Sequence, residues 1–191
     1  TANIFSDASL VESSSRGPAH DGRIKPDIAA NGQEHVSTNP ENEYAPFGGT
    51  SGAAPGIAGI TAMLHHAYAE NYDGETANSA LLKAILLNTA NDLGNSGPDF
   101  KFGWGHVNAY RAAIALEENR FLSSAVELEA TNTHTIEVPE NVAEVRIMTY
   151  WMDQAGTVLT TKALVNDLNT TVTTIDGAVY QPWVLDPTPN E

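Results

Sequence analysis

The stretch Phe47-Gly48-Gly49-Thr50-Ser51-Gly52-Ala53-Ala54-Pro55 runs without a break into Gly56-Ile57-Ala58-Gly59-Ile60-Thr61-Ala62-Met63-Leu64. A glycine pair leads into Thr-Ser, and the Thr-Ser opens a run of small and apolar residues with the texture of a helix. A serine there has its hydroxyl at the positive end of a helix dipole. The glycines leave room for another stretch of backbone to approach closely. These features suit a nucleophile. They suit an ordinary helix cap as well, because Ser and Thr cap helices for structural reasons alone.

Working outward, the spacing predicts a helix from Thr50 or Ser51 to about Asn71. Pro55 falls in the first turn, where a missing N–H costs little. Glycines at 52, 56 and 59 share one face, and each costs about 1 kcal/mol of helix stability relative to alanine. Such a helix is expected to lie buried against close neighbours. A second helix is expected from Ala77 to about Asn91, through Leu81, Leu82, Ile85 and Leu86, with Thr76 or Asn78 as cap. Phe102-Gly103-Trp104-Gly105 reads as an aromatic turn, and Asn108 as the cap of a third helix reaching Glu118. Upstream, Ile28-Ala29-Ala30 before Asn31-Gly32 reads as a short buried strand. His35-Val36-Ser37-Thr38 is a further extended piece, and Asn39 to Pro46 reads as loop. Residues 1–22 are polar and rich in turns.

After residue 120 the period changes to two. Thr135–Val138, Glu144–Trp151 and Thr171–Ile175, the last turned by Asp176-Gly177, read as strands, as does Val179 to Leu185 around Pro182. The expected organisation is an α/β unit over 1–120 joined to an all-β unit over 121–191. The second offers too few strands to close a sandwich.

Composition narrows the partners. Lys and Arg total 9 against 24 Asp and Glu, a formal charge of −15 that disfavours nucleic acid and anionic membrane surfaces. There is no cysteine, hence no disulfide framework and no thiol chemistry. No apolar run approaches the roughly 20 residues needed to span a bilayer. The chain begins Thr1-Ala2-Asn3 and carries no basic-then-apolar leader, so it reads as a piece of a longer precursor.

Gly49-Thr50-Ser51-Gly52-Ala53-Ala54-Pro55 resembles the nucleophile motif of the subtilisin-like serine peptidases, the subtilases. Ser14-Ser15-Arg16-Gly17-Pro18 and Asp21-Gly22-Arg23-Ile24-Lys25-Pro26-Asp27-Ile28-Ala29-Ala30-Asn31-Gly32 resemble the segment that leads into it. Tyr44 is placed as in the family. Leu82-Lys83-Ala84-Ile85-Leu86, Thr89-Ala90 and Gly103-Trp104-Gly105-His106-Val107-Asn108-Ala109 look like the helices that close the catalytic domain. Tyr150-Trp151-Met152-Asp153 and Lys162-Ala163-Leu164-Val165-Asn166-Asp167-Leu168 look like the β-domain that follows it in one branch. Three positions depart from the pattern: Gly52 where Met is usual, Gly56-Ile57 where His-Val is usual, and Asn31 where proline is usual.

The resemblance implies a partial subtilisin-like parallel sheet around a buried central helix, followed by part of an antiparallel β-sandwich. It implies Ser51 as the nucleophile of an acyl-enzyme peptidase, acting on polypeptides, with Phe47, Gly48, Gly49 and Thr50 on the leaving-group side. It also implies an extracellular or cell-envelope location. The triad's Asp and His and the oxyanion-hole Asn are expected upstream of Thr1, so the isolated chain is expected to be inactive. Its exposed edges should then need the missing N-terminal part of the domain, a swapped partner or self-association. The chemistry requires no cofactor. Structural calcium is common in the family, and Asp153, Asn166, Asp167 and Asn169 supply oxygen donors of suitable hardness; Asn-Asp clusters also form ordinary turns.

No histidine in the chain is placed to replace the absent base. His65 and His66 lie 14 and 15 residues along the helix from Ser51, roughly 21–22 Å at about 1.5 Å per residue. His20, His35, His106 and His134 have no sequence-level link to Ser51. An α/β-hydrolase elbow fits poorly, because Ala53 stands where its last glycine belongs and Tyr44–Gly49 is a poor strand. A P-loop is excluded because no lysine follows the glycines. The alternative of another class is a non-catalytic binding module or pseudoenzyme in which Ser51 is only a cap. Asn169-Thr170-Thr171 matches a glycosylation sequon, a pattern too common to weigh.

Overall fold

A computed structural model describes residues 1–188. Strand β1 (Ala2–Ile4) lies parallel to β2 (Ala29–Asn31), with Ala2 opposite Ala29 and Ile4 opposite Asn31. On the other side of β2, Ala29 N–H donates to Gly105 O at 2.8 Å and Val107 N–H to Ala29 O at 3.0 Å. His106 and Asn91 exchange backbone hydrogen bonds at 2.8 Å, which extends the layer by one more segment. Gly105 must be glycine here: its φ is +107°, and a Cβ would strike the carbonyl of Asn91. Burial pushes the imidazole pKa of His106 down.

Helix α1 (Thr50–Asn71) crosses this layer, and α2 (Ser79–Asn88) and α3 (Ala109–Glu117) pack beside it. The caps of the shorter helices follow from asparagine chemistry. Asn78 Oδ1 accepts from Ala80 N–H at 2.8 Å, and Asn108 Oδ1 from Arg111 N–H at 2.9 Å. Ile28, Leu64, Leu82, Ile85, Leu86, Ala112 and Leu116 form the main core where the helices meet β2. A smaller cluster of Ala2, Ile4 and Ala29 sits under Leu10, Leu93 and Phe102.

The α/β architecture and the three helices agree with the expected elements; four details differ. First, α1 is buried on one side only. Ala53 and Leu64 are its buried residues, Met63 is 70% exposed, and a Cβ at Gly56 or Gly59 would meet nothing within 4 Å. The described residues supply partners to one face of the helix and nothing to the other. Second, β1 lies in a segment read as turns, because three residues are too short to show a period. Third, the stretch read as loop holds β4 (Glu43–Phe47), antiparallel to β3 (His35–Asn39) across a 3-10 turn at Pro40–Asn42. Pro46 is tolerated because both strands of a two-stranded sheet are edges, so a missing N–H can face outward.

Fourth, the β-rich region is mostly irregular. Strands β5 (Val172–Thr173) and β6 (Val179–Tyr180) form a hairpin whose turn has Gly177 N–H donating to Thr174 O at 2.9 Å, as Asp176-Gly177 predicts. Thr135–Val138 and Glu144–Trp151 form no ladder, since no second sheet among the described residues offers a face to bury their apolar side. The alternation in the second segment is nonetheless used. Arg146 Nη1 donates to Ala90 O at 2.9 Å, Met148 packs on the main core, and Tyr150 lies under Lys83 Nζ at 5.3 Å. Arg146, Met148 and Tyr150, alternate residues of this segment, therefore each reach the helical layer or its core. No described helix is long and apolar enough to cross a membrane.

Candidate active site

Ser51 is the second residue of α1, exposed at the helix's N-terminal end. The cap is Gly49, at φ 90° and ψ −173°, and no side-chain hydrogen bond closes the helix end. Gly49 belongs in this left-handed region because it has no Cβ. Its N–H donates to Gly32 O at 2.7 Å, and its carbonyl accepts from Gly52 N–H at 2.9 Å and Ala53 N–H at 3.2 Å. The N–H groups of Thr50 and Ser51 find no acceptor among the described residues, so the helix opens with free donors beside the Ser51 hydroxyl.

The loop carrying Ser51 rests on the end of β2. A Cβ at Gly32 would collide with Gly49 O and with the Asn3 side chain. Asn31 Oδ1 accepts from Gln33 N–H at 2.8 Å, which turns the chain at the position where the family has proline. Below, Asn3 N–H donates to Ser14 Oγ at 3.0 Å, both residues being buried. Gly52 has its own reason to lack a side chain: a Cβ there would sit 3.1 Å from both Gly32 O and His35 Cδ2. The space beyond Ser51 in the chain is thus filled by an imidazole from β3. His35 Nε2 engages Asn31 O at 3.1 Å, and no histidine among the described residues hydrogen-bonds to Ser51. His66 instead pairs along the helix with Glu70 at 3.5 Å.

Ser51 opens onto a cleft of ≈ 470 Å³ whose walls include Ser15, Arg16, Lys25, Thr50 and Ala54. Lys25 Nζ lies 2.6 Å from Asp27 Oδ2, and Lys83 Nζ lies 2.9 Å from Asp27 Oδ1. Burial works to raise the Asp27 pKa, but the hydrogen bonds and charges of the two lysines outweigh it and hold the carboxyl below its ordinary range. Of the residues expected on the leaving-group side, Gly49 and Thr50 immediately precede Ser51 in the chain. Gly48 packs against Gly32 O, and Phe47 ends β4 at 44% exposure. Neither Arg16 nor Lys25 is marked as functional by its sequence context, because their place in the cleft depends on the turn at 17–25.

Of the candidate calcium donors, Asp153 and Asn166 meet each other directly. Both Asp153 oxygens are engaged by N–H groups, with Val165 N at 2.7 Å and Asn166 Nδ2 at 2.7 Å. Those bonds, the Val165 backbone bond foremost, hold the carboxyl below its ordinary pKa. Asp167 faces Lys162 at 3.3 Å. A carboxylate whose lone pairs are taken by N–H groups is a poor cation ligand, so the donor set does not fit the ion in this arrangement.

The sequence profile of the subtilase family matches residues 3–105. The chain belongs to the subtilase family. It is 38% identical over 113 residues to a C5a peptidase of Streptococcus pyogenes, covering 56% of this chain and 10% of that protein. It is 33% identical over 131 residues to a PII-type proteinase of Lactococcus lactis subsp. cremoris, covering 60% of this chain and 7% of that one. Against these curated relatives the chain thus spans a tenth of their length or less. Among solved structures it resembles the patellamide maturation protease PatA, with TM-score 0.52, 21% identity, and 61% and 42% of the two chains covered. It resembles the prenylagaramide maturation protease PagA with TM-score 0.51, 22% identity, and coverage of 60% and 40%. At these identities the two structures speak to the fold alone.

Proposed function

We propose that this subtilase chain is the nucleophile-bearing part of a serine endopeptidase that cleaves polypeptides through an acyl-enzyme on Ser51. The observation that carries the reading is the pairing of an exposed Ser51 hydroxyl with unpaired N–H groups at the start of α1, on an open cleft. Ser51 Oγ attacks the scissile carbonyl, and its own N–H is one of the donors to the oxyanion. Phe47, Gly48, Gly49 and Thr50 line the leaving-group side. The base, its orienting carboxylate and the Asn donor are assigned to a preceding part of the same catalytic domain, outside residues 1–191. That part, or a second copy of the chain, would cover the open face of α1. Residues 1–120 belong to the catalytic domain and 121–191 to a following β-domain. Its place outside the cell or in the cell envelope is inferred from the family alone. No cofactor takes part in the reaction; a calcium at Asp153 would first have to displace its N–H partners.

The non-catalytic alternative, with Ser51 as a mere cap, draws less support, since Gly49 holds the cap position and no side chain caps the helix. The test is phosphonylation by a fluorophosphonate, in which Ser51 Oγ bonds to phosphorus and fluoride leaves. Without a general base, Ser51 in the isolated chain should label about 10²–10⁴-fold more slowly than in a longer protein that includes the preceding part. Equal labelling of both would refute the proposed division of the triad. Absence of labelling in the longer protein would favour the non-catalytic alternative.

A further inference from the structure

We infer that the cleft beside Ser51 reads a carboxylate on the bound peptide, and that Arg16 is the residue that reads it. The inference rests on the peptidase reading of Ser51 and adds a substrate class to it: peptides with an acidic group close to the scissile bond.

The charge of the cleft opposes that of the chain. Overall the chain carries −15 and has only 9 Lys and Arg residues, yet two of them, Arg16 and Lys25, lie on this wall, and among the described residues no carboxylate lines it. They are brought together by Gly17, where a Cβ would collide with the Lys25 carbonyl, so that the backbone after Arg16 presses on that of Lys25. The two cations have different availability. Lys25 is held by Asp27, which Lys83 shares, leaving one net positive charge on that trio. Arg16 is exposed and forms no ion pair among the described residues. A guanidinium offers a planar fork of donors that matches a carboxylate. Lys25 and its partners supply background potential, while Arg16 supplies the contact. In an otherwise acidic molecule this local reversal draws an acidic group of the peptide to the cleft and repels it elsewhere.

The carboxylate could belong to an Asp or Glu side chain or to the end of a peptide, and the test separates these sources. Three fluorescein-labelled decapeptides are titrated with the 191-residue chain by anisotropy. One is C-amidated with a central Asp, one is identical with Asn, and the third is the Asn peptide with a free C-terminal carboxylate. The Asp peptide is expected to bind about 5-fold tighter than its Asn twin at low ionic strength, as for one partly exposed charge pair. The difference should close in 1 M salt, where screening acts within about 3 Å. Arg16→Gln should abolish it, whereas Arg16→Lys should keep part of it. A gain confined to the free-carboxylate peptide supports the carboxylate site and assigns it to chain ends. Equal binding of all three, a preference that survives R16Q, or no binding of any peptide overturns the inference. Failure of the peptidase reading registers separately, as absent fluorophosphonate labelling of Ser51 in the longer protein, with the binding ratio unaffected.

Discussion

At the residue scale, the nucleophile loop depends on groups that carry no chemistry of their own. Ser14 is buried, and its hydroxyl is the acceptor for the equally buried Asn3 N–H at 3.0 Å. Replacing it with alanine leaves that donor without a partner inside the protein. Ser14→Ala should therefore cost about 1–3 kcal/mol in urea unfolding, whereas exposed Ser15→Ala should cost under about 0.5 kcal/mol. Equal effects for the two would remove Ser14 from the support of β1. Gly52 is instructive in another way. Read from the sequence, it is a departure from a family pattern that has Met. The structure gives it a cause, because a Cβ there would press at 3.1 Å on both Gly32 O and the imidazole of His35. Nothing in the residues around position 52 announces that neighbour, which arrives from a strand 17 positions away in the sequence.

At the element scale, the open face of α1 makes a prediction whose sign depends on what covers it. Gly59 is mid-helix, and a Cβ there would touch nothing within 4 Å. In this chain Gly59→Ala should add about 1 kcal/mol through helix propensity alone, raising the melting temperature by about 2–4 °C. In a longer protein whose remaining part packs on that face, the same change should be neutral or destabilising. A lower melting temperature for G59A in the isolated chain would mean that the face is already covered. Element identity was most legible where the side-chain period is long and the caps are chemical. The 22 residues of α1 begin and end where the small-residue run and Asn71 place them, and Asn108 caps α3 as its position suggests. The short strands were hard to read for the opposite reason. Three residues of β1 contain no full alternation, and β4 carries a proline, so pairing decides them more than their composition does. The segment at 144–151 shows that an alternating pattern identifies which side chains face inward; it does not ensure that a neighbouring strand is present. At the site, Ser51 and its glycines were legible because their meaning is local. The wall formed by Arg16 and Lys25 was not, since it depends on a turn and a backbone crossing.

At the scale of the whole molecule, Asp27 joins parts far apart in sequence, with Lys25 on the cleft, Lys83 on α2 and, through Lys83, the ring of Tyr150. Its folded-state pKa lies below the ordinary value, so it stabilises the fold above pH ~4, the unfolded value, and the contribution fades as pH falls through the lower folded value. Asp27→Asn should cost about 1 kcal/mol at pH 7, a figure already reduced for the partial exposure of the group. The gap to the parent chain should narrow below about pH 4, as read by urea unfolding at several pH values. A constant difference across that range would mean that the carboxylate's charge is not what matters. The hold of Arg146 on the turn after α2, of Met148 on the main core and of Tyr150 beneath Lys83 has a further consequence, because the N–H groups of this segment find no acceptor among the described residues, and of its carbonyls Arg146 O alone is engaged there, by Asn88 Nδ2 at 3.1 Å. Two spectroscopic clocks should therefore disagree about this segment. Its amide protons should exchange with solvent almost as fast as those of a free peptide. The methyl of Met148 and the ring of Tyr150 should nevertheless report fixed surroundings, so the stretch would look unfolded along its backbone and folded along one edge of its side chains.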